Sequence, residues 1–202
     1  NYVAGRTTAG LAITHQTDRT VCVYSSAATD LIVDVTGVFA TTGSVFHTLS
    51  PTRWVDTRGN AAVLGTITGV RAAGSDTEVQ LAGTGDVPAD ATAVWLNVTG
   101  VSAQGTTYLT VYPGPCGSAP LSSNVNLLAN RTASSAVLVA IGSNGAVCVR
   151  TGGSATHLVI DVAGWFQPGT DGLSFNATPA QRLYDSRPGT PPPANTLHQV
   201  TT

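Results

Sequence analysis

Ile32-Val33-Asp34-Val35-Thr36-Gly37-Val38-Phe39 returns as Val159-Ile160-Asp161-Val162-Ala163-Gly164-Trp165-Phe166. A second stretch, Arg53-Trp54-Val55-Asp56-Thr57-Arg58, returns as Arg182-Leu183-Tyr184-Asp185-Ser186-Arg187. The offsets are 127 positions (34 to 161) and 129 positions (53 to 182). A fixed period of this size signals tandem units rather than one large domain. Residues 1–41 then read as the C-terminal part of one repeat, 42–168 as a complete repeat, and 169–202 as the N-terminal part of the next. A unit of about 127 residues is long enough to bury a core of its own.

Working outward, strand signals are frequent and helical periodicity is nearly absent. Thr107–Tyr112, Ala93–Val98 and Ala146–Arg150 alternate and are rich in β-branched and aromatic residues. Ala136–Ile141 and His157–Val162 read as near-continuous apolar strands. Pro113-Gly114-Pro115, Gly83-Thr84-Gly85-Asp86 and Gly152-Gly153 punctuate them, and Ser143-Asn144-Gly145 suggests a hairpin turn. Nine or ten short strands per complete repeat predict an all-β fold, a tandem β-sandwich of jelly-roll or Ig-like type. Val94, Leu96 and Val98 would form one inward row. Short linkers, Ala40–Gly43 and Gln167–Gly172, predict a stiff array.

Composition excludes several functions. Charged residues make up 10% and the net charge is -2, too weak a field to hold nucleic acid by counterion release. All basic residues are Arg, so lysine Schiff-base and P-loop chemistry are excluded. The chain has no apolar run of 18 residues, hence no expected membrane insertion.

The repeat orders the three cysteines. Cys148 in Ala146-Val147-Cys148-Val149 matches Cys22 in Thr20-Val21-Cys22-Val23. We expect a disulfide from Cys116 to Cys148, with the partner of Cys22 outside the sequence; the alternative is three buried free thiols. A bridge in each unit implies an oxidising, extracellular compartment.

Repetition also tests candidate sites, because a site belonging to the unit should occur twice. His15, His47, His157 and His198 fail: none aligns with another His, and no catalytic residue or metal is expected. Arg53, Asp56 and Arg58 pass, with Arg182, Asp185 and Arg187 in the second copy. Alternation would put Asp56 and Arg58 on one strand face and Arg53 on the other. The cluster reads either as an anion or sugar site or as structural ion pairs at a strand start or inter-unit joint. The structural reading is favoured. Asp34 and Asp161 sit inside apolar strands and need partners; Arg6 and Arg131, themselves matched, are candidates. Asn97, Asn130 and Asn176 fit the glycosylation pattern, as chance predicts in a Thr-rich chain. Trp54 and Tyr112 are the candidate glycan contacts; Trp54 aligns with Leu183 and Trp165 with Val38, which points to core or joint positions.

Together with Asp86–Thr99, Tyr108–Pro113 and Ser123–Asn126, these motifs resemble the long β-rich repeats of secreted actinobacterial cell-surface proteins. The resemblance implies a Gram-positive envelope and names no ligand, cofactor or catalytic residue. The expected function is a non-enzymatic extracellular structural repeat protein forming a fibre, stalk or surface layer. Its partners would be further copies of itself or neighbouring repeats, and cell-wall glycan under the rival reading. That rival is a carbohydrate-binding module anchoring a secreted enzyme; a third reading is a spacer within a large hydrolase. The two end pieces lack the stretch equivalent to about residues 74–125 and are expected to need neighbouring sequence or a partner subunit.

Overall fold

The computed structural model describes residues 4–14, 16, 18–59, 63–169 and 174–201. Among them lie twelve strands and no helix. They are β1 (Thr20–Ser25), β2 (Ile32–Ala40), β3 (Ser44–Asp56), β4 (Asp76–Gln80), β5 (Ala93–Val101) and β6 (Thr107–Pro113). After them come β7 (Val125–Leu127), β8 (Ala133–Ala140), β9 (Ala146–Thr151), β10 (His157–Pro168), β11 (Ser174–Asp185) and β12 (Thr196–Thr201).

Strands β3 to β10 make one whole unit. Its two sheets run β3-β10-β5-β8 and β4-β9-β6-β7. Successive strands mostly cross from one sheet to the other, and only β6 and β7 pair as sequence neighbours. This order is that of an eight-stranded jelly roll rather than an Ig-like sandwich. Among the described residues of this unit there are eight strands, against the nine or ten expected. The turn at Asn144-Gly145 exists, with Gly145 at φ 78°. It does not close a hairpin: β8 pairs with β5, while β9 pairs with β4 and β6. The turn carries the chain between sheets.

The core lies between these sheets. Val94, Leu96 and Val98 of β5, Val147 and Val149 of β9, and Leu158, Ile160 and Val162 of β10 have no measurable exposure. Trp54, Leu109, Val125 and Val137 complete the cluster. Full burial of one such aliphatic side chain stabilises by about 1.5–3 kcal/mol. Cys116 and Cys148 form a disulfide across a sequence separation of 32.

The end segments do not stand apart. β2 pairs with β11 and β1 with β12, and the six-stranded sheet runs β2-β11-β3-β10-β5-β8. The registers of these pairs follow those of β3/β10 and β4/β9 position by position, and we refer to the four strands as the half unit and to β3–β10 as the whole unit. Ile32 faces Asp185 as Val159 faces Asp56, and Asp34 faces Arg182 as Asp161 faces Arg53. Phe39 faces Phe175 as Phe166 faces Phe46. On the other layer Cys22 faces Gln199 as Cys148 faces Glu78. The expected separation of 1–41 from 169–202 therefore gives way to direct pairing between them. β12 matches β4, so β5, β6, β7 and β8 have no strand counterpart among the described residues.

Gly37 and Gly164 explain one repeated letter. A Cβ on Gly164 would collide with a Phe46 ring carbon and the His47 carbonyl; on Gly37 it would collide with the Phe175 ring and the Asn176 carbonyl. Each glycine lets a phenylalanine two positions along the neighbouring strand lie across its own strand.

Candidate functional site

The repeated polar cluster forms where β3 ends. A bulge at Trp54 puts Arg53 opposite Asp161 and Val55 opposite Ile160, leaving Trp54 as the extra residue. The bulge shifts the alternation, so Arg53 and Asp56 come to the same side. Arg53 donates from Nε to Asp161 Oδ1 at 2.6 Å and from Nη2 to Asp161 Oδ2 at 3.3 Å. Its Nη1 reaches Asp56 Oδ2 at 3.3 Å. Arg58 lies beyond the strand in the following turn. It donates to Asp56 from its backbone N–H at 3.1 Å, from Nε at 2.8 Å and from Nη2 at 2.7 Å. The Asp56 side chain is fully buried, while both arginines remain about 40% exposed. Alternation alone placed Arg53 and Arg58 on opposite faces; the bulge and the strand end bring both onto Asp56.

The second copy matches. Arg182 donates from Nε to Asp34 at 2.5 Å and from Nη1 to Asp185 at 2.9 Å. Arg187 donates to Asp185 from its backbone at 3.1 Å and from Nε at 2.8 Å. The partners of Asp34 and Asp161 are thus Arg182 and Arg53, not Arg6 and Arg131. Arg53 and Arg182 are the direct ladder neighbours of Asp161 and Asp34 across the sheet. Hydrogen bonding to Asp161 raises the Arg53 pKa, and bonding to Asp34 raises that of Arg182. The Arg187 guanidinium holds the Asp185 carboxyl far below the usual carboxylate range.

Two arginines and two aspartates make each cluster neutral. All three Arg53 nitrogens already donate to carboxylates. The Arg53 fork is spent on carboxylates, and the cluster is a latch that ties the end of β3 to β10.

A hydroxyl completes the latch, and the sequence reading gave it no role. Thr57 Oγ1 accepts from the Leu158 N–H at 2.8 Å and lies 3.0 Å from His157 Nδ1. Ser186 Oγ accepts from the Leu31 N–H at 2.8 Å and donates to Asp30 Oδ1 at 2.9 Å. The signal was the hydroxyl shared by Asp-Thr-Arg and Asp-Ser-Arg. Thr57 is 2% exposed, so its contact with His157 offers no nucleophile to a substrate. His47 stacks on Trp165 at 5.5 Å and His198 packs on Tyr184 at 4.4 Å. His15 lies outside the described residues.

The latches do not sit at the inter-unit joint. Phe39, Phe46, Phe166 and Phe175 gather there, with ring centroids 4.8 to 6.4 Å apart. Phe46 and Asp56 are at opposite ends of β3, about 30 Å apart at the rise of an extended strand. The joint is aromatic, and the latches belong to each unit.

Trp54 and Tyr112 do not form a sugar platform. Trp54 is 1% exposed and donates from Nε1 to the Gln80 carbonyl at 2.9 Å; Tyr112 is 4% exposed. Burial raises the Tyr112 pKa. Glu78 lies near Cys116 and Cys148, but both sulfurs are spent in the disulfide, so this cluster is no metal centre. Among the described residues no helix is long and apolar enough to cross a membrane. No protein-family model matches the chain, and a search of curated proteins finds no match.

Proposed function

We propose that this is a non-enzymatic, extracellular structural protein built from tandem jelly-roll units of about 127 residues, assembling into a fibre, stalk or surface layer. The observation that carries this reading is the duplicated register. The β3/β10 and β11/β2 pairs share their facing residues, their bulge and their latch. What recurs is a device for holding strands, and its charges are internally neutralised. An array that preserves strand-locking chemistry serves shape and surface rather than turnover. The Cys116–Cys148 disulfide fits an oxidising, extracellular setting. The aromatic joint and the three-residue connection between β2 and β3 support limited bending between units. Partners on this reading are further units of the same kind.

Electron microscopy of a polypeptide carrying several such units tests it. Straight rods or sheets with a regular repeat are expected, and freely jointed beads would refute the proposal. Co-sedimentation with insoluble peptidoglycan separates the carbohydrate-binding alternative, which requires retention; none is expected.

A further inference from the structure

The phenylalanine cluster has company in tying the half unit to the whole one. Arg182 donates from Nη2 to the Leu121 carbonyl at 2.6 Å. Leu121 belongs to the β6–β7 loop of the whole unit, residues 114–124. The same Nη2 donates to Asp34 Oδ2 at 3.3 Å, so its two hydrogens serve the latch and the loop. Its counterpart Arg53 donates to Asp161 and Asp56. Exposure separates the two arginines in the same way. Arg187 is more open than its counterpart Arg58, 58% against 41%. Arg182 reverses that order, at 25% against 39% for Arg53. The loop contact accounts for the reversal.

The loop is fixed on both sides of Leu121. On one side Cys116 is bonded to Cys148 of β9, its N–H donates to Glu78 Oε2 at 3.3 Å, and the Gly117 N–H donates to the Tyr112 hydroxyl at 3.3 Å. On the other side the Ser122 carbonyl accepts from the Thr110 hydroxyl. The Asn124 N–H donates to the Leu109 carbonyl at 2.8 Å, and Asn124 Oδ1 accepts from the Val111 N–H at 2.7 Å. Leu121 itself turns its side chain to solvent, 92% exposed, and makes its contact through the carbonyl. A loop already ordered by its own unit gives up little freedom when a guanidinium docks on it. Leverage adds to this. Arg182 lies seven residues beyond Phe175 on β11, about 20 Å away along an extended strand. A single aromatic contact beside a short connection permits rocking about that contact. A second tie at such a distance opposes it.

We propose that the β6–β7 loop is a disulfide-braced docking surface for the half unit: the Leu121 carbonyl, held in place by the Cys116–Cys148 bridge, receives the Arg182 guanidinium and ties the two units at a second point away from the phenylalanine cluster. Arg182 thus has two roles. Through Asp34 and Asp185 it locks strands inside its own unit, and through Leu121 it fixes that unit against its neighbour. The bridge has two roles as well. It closes a loop within the sandwich, and it sets where that loop meets the half unit. These contacts lie within one chain, so the clasp holds whatever material the units assemble into.

The matched arginines supply the control. Arg182→Lys and Arg53→Lys each weaken one latch, but only the first removes a donor from Leu121. Two readouts follow on the 202-residue protein. The first is native-state cleavage after Leu121 by a chymotrypsin-like protease, with fragments read after reduction and denaturation. The protease must take the Leu121 carbonyl into its oxyanion hole, in competition with Arg182. Arg182→Lys should speed this cut about fivefold or more, as expected for losing a hydrogen bond from a charged donor; Arg53→Lys should leave the rate unchanged. The second is residual dipolar couplings of the β5, β10, β2 and β11 amides. One alignment tensor should fit all four strands in the parent and in Arg53→Lys, and two should be needed in Arg182→Lys. The pair Cys116→Ser with Cys148→Ala should also speed the cut and split the tensor, while the Val94–Val98 amides stay protected from exchange. Equal effects of the two arginine variants, or a single tensor in Arg182→Lys, would overturn the clasp. Loss of Val94–Val98 protection in the cysteine pair would overturn the part of the bridge in the joint.

Discussion

The whole unit and the half unit use the same local chemistry and reach different degrees of order. In the whole unit Trp54 is 1% exposed and Ile160 is fully buried; in the half unit the matching Leu183 and Val33 are half-buried. Both have the same bulge, the same latch and the same facing phenylalanines. The latch therefore needs only two paired strands, whereas the core needs all eight. Polar pairs are satisfied locally, but apolar burial is a property of the closed sandwich. The outer pair shows this again. Arg150 forks onto Asp76 at 2.7 and 2.9 Å, and in the half unit Tyr24 and Leu197 occupy those places, 59% and 71% exposed.

The sharpest way to break the comparison is to empty both matched core positions. Trp54→Ala should cost about 3–5 kcal/mol in denaturant unfolding, from lost burial and a cavity. Leu183→Ala should cost about 1 kcal/mol or less, because its site already opens to water. Similar costs would mean that the half unit has a closed core after all.

The cysteines come next. The joint replacement Cys116→Ser and Cys148→Ala should lower stability by about 3–4 kcal/mol for a loop of this length, measured against a Cys22→Ser control that stays near the parent. A large loss from Cys22→Ser alone would show that this thiol is held by contacts the half unit does not display.

The smallest effect is on the latch. Asp185 has its pKa lowered in the folded state, first by its hydrogen bond to Arg187. Its contribution is present above the unfolded carboxylate pKa and is lost as pH falls through the folded value. Thermal melts should thus be flat near neutrality and fall below about pH 4. Asp185→Asn should flatten part of that acid limb and leave the neutral melt little changed, because the arginines are partly exposed. An unchanged acid limb would exclude Asp185 as its source.

Much of this was legible in the chain. The inward row of Val94, Leu96 and Val98 follows from alternation, and the cysteine pairing follows from matching Cys22 to Cys148. The partners of Asp34 and Asp161 were not legible. They depend on which strand lies beside β2 and β10, and a jelly roll places strands from distant sequence side by side. Asn144-Gly145 misled for the same reason: turn chemistry fixes a reversal of direction, not the sheet that receives the next strand. The bulge at Trp54 hid the face shared by Arg53 and Asp56, since one inserted residue reverses the alternation beyond it.

The sequence by itself determined the strand-rich character, the period, the duplicated polar motif and the residues that could be bridged. These rest on local preferences and on self-comparison, which need no coordinates. Only the tertiary structure decided that residues near the two ends pair with one another, that the arginines are spent on carboxylates, and that the joint is aromatic. Those outcomes depend on which distant edges meet, and edge pairing is chosen by the packing of whole sheets.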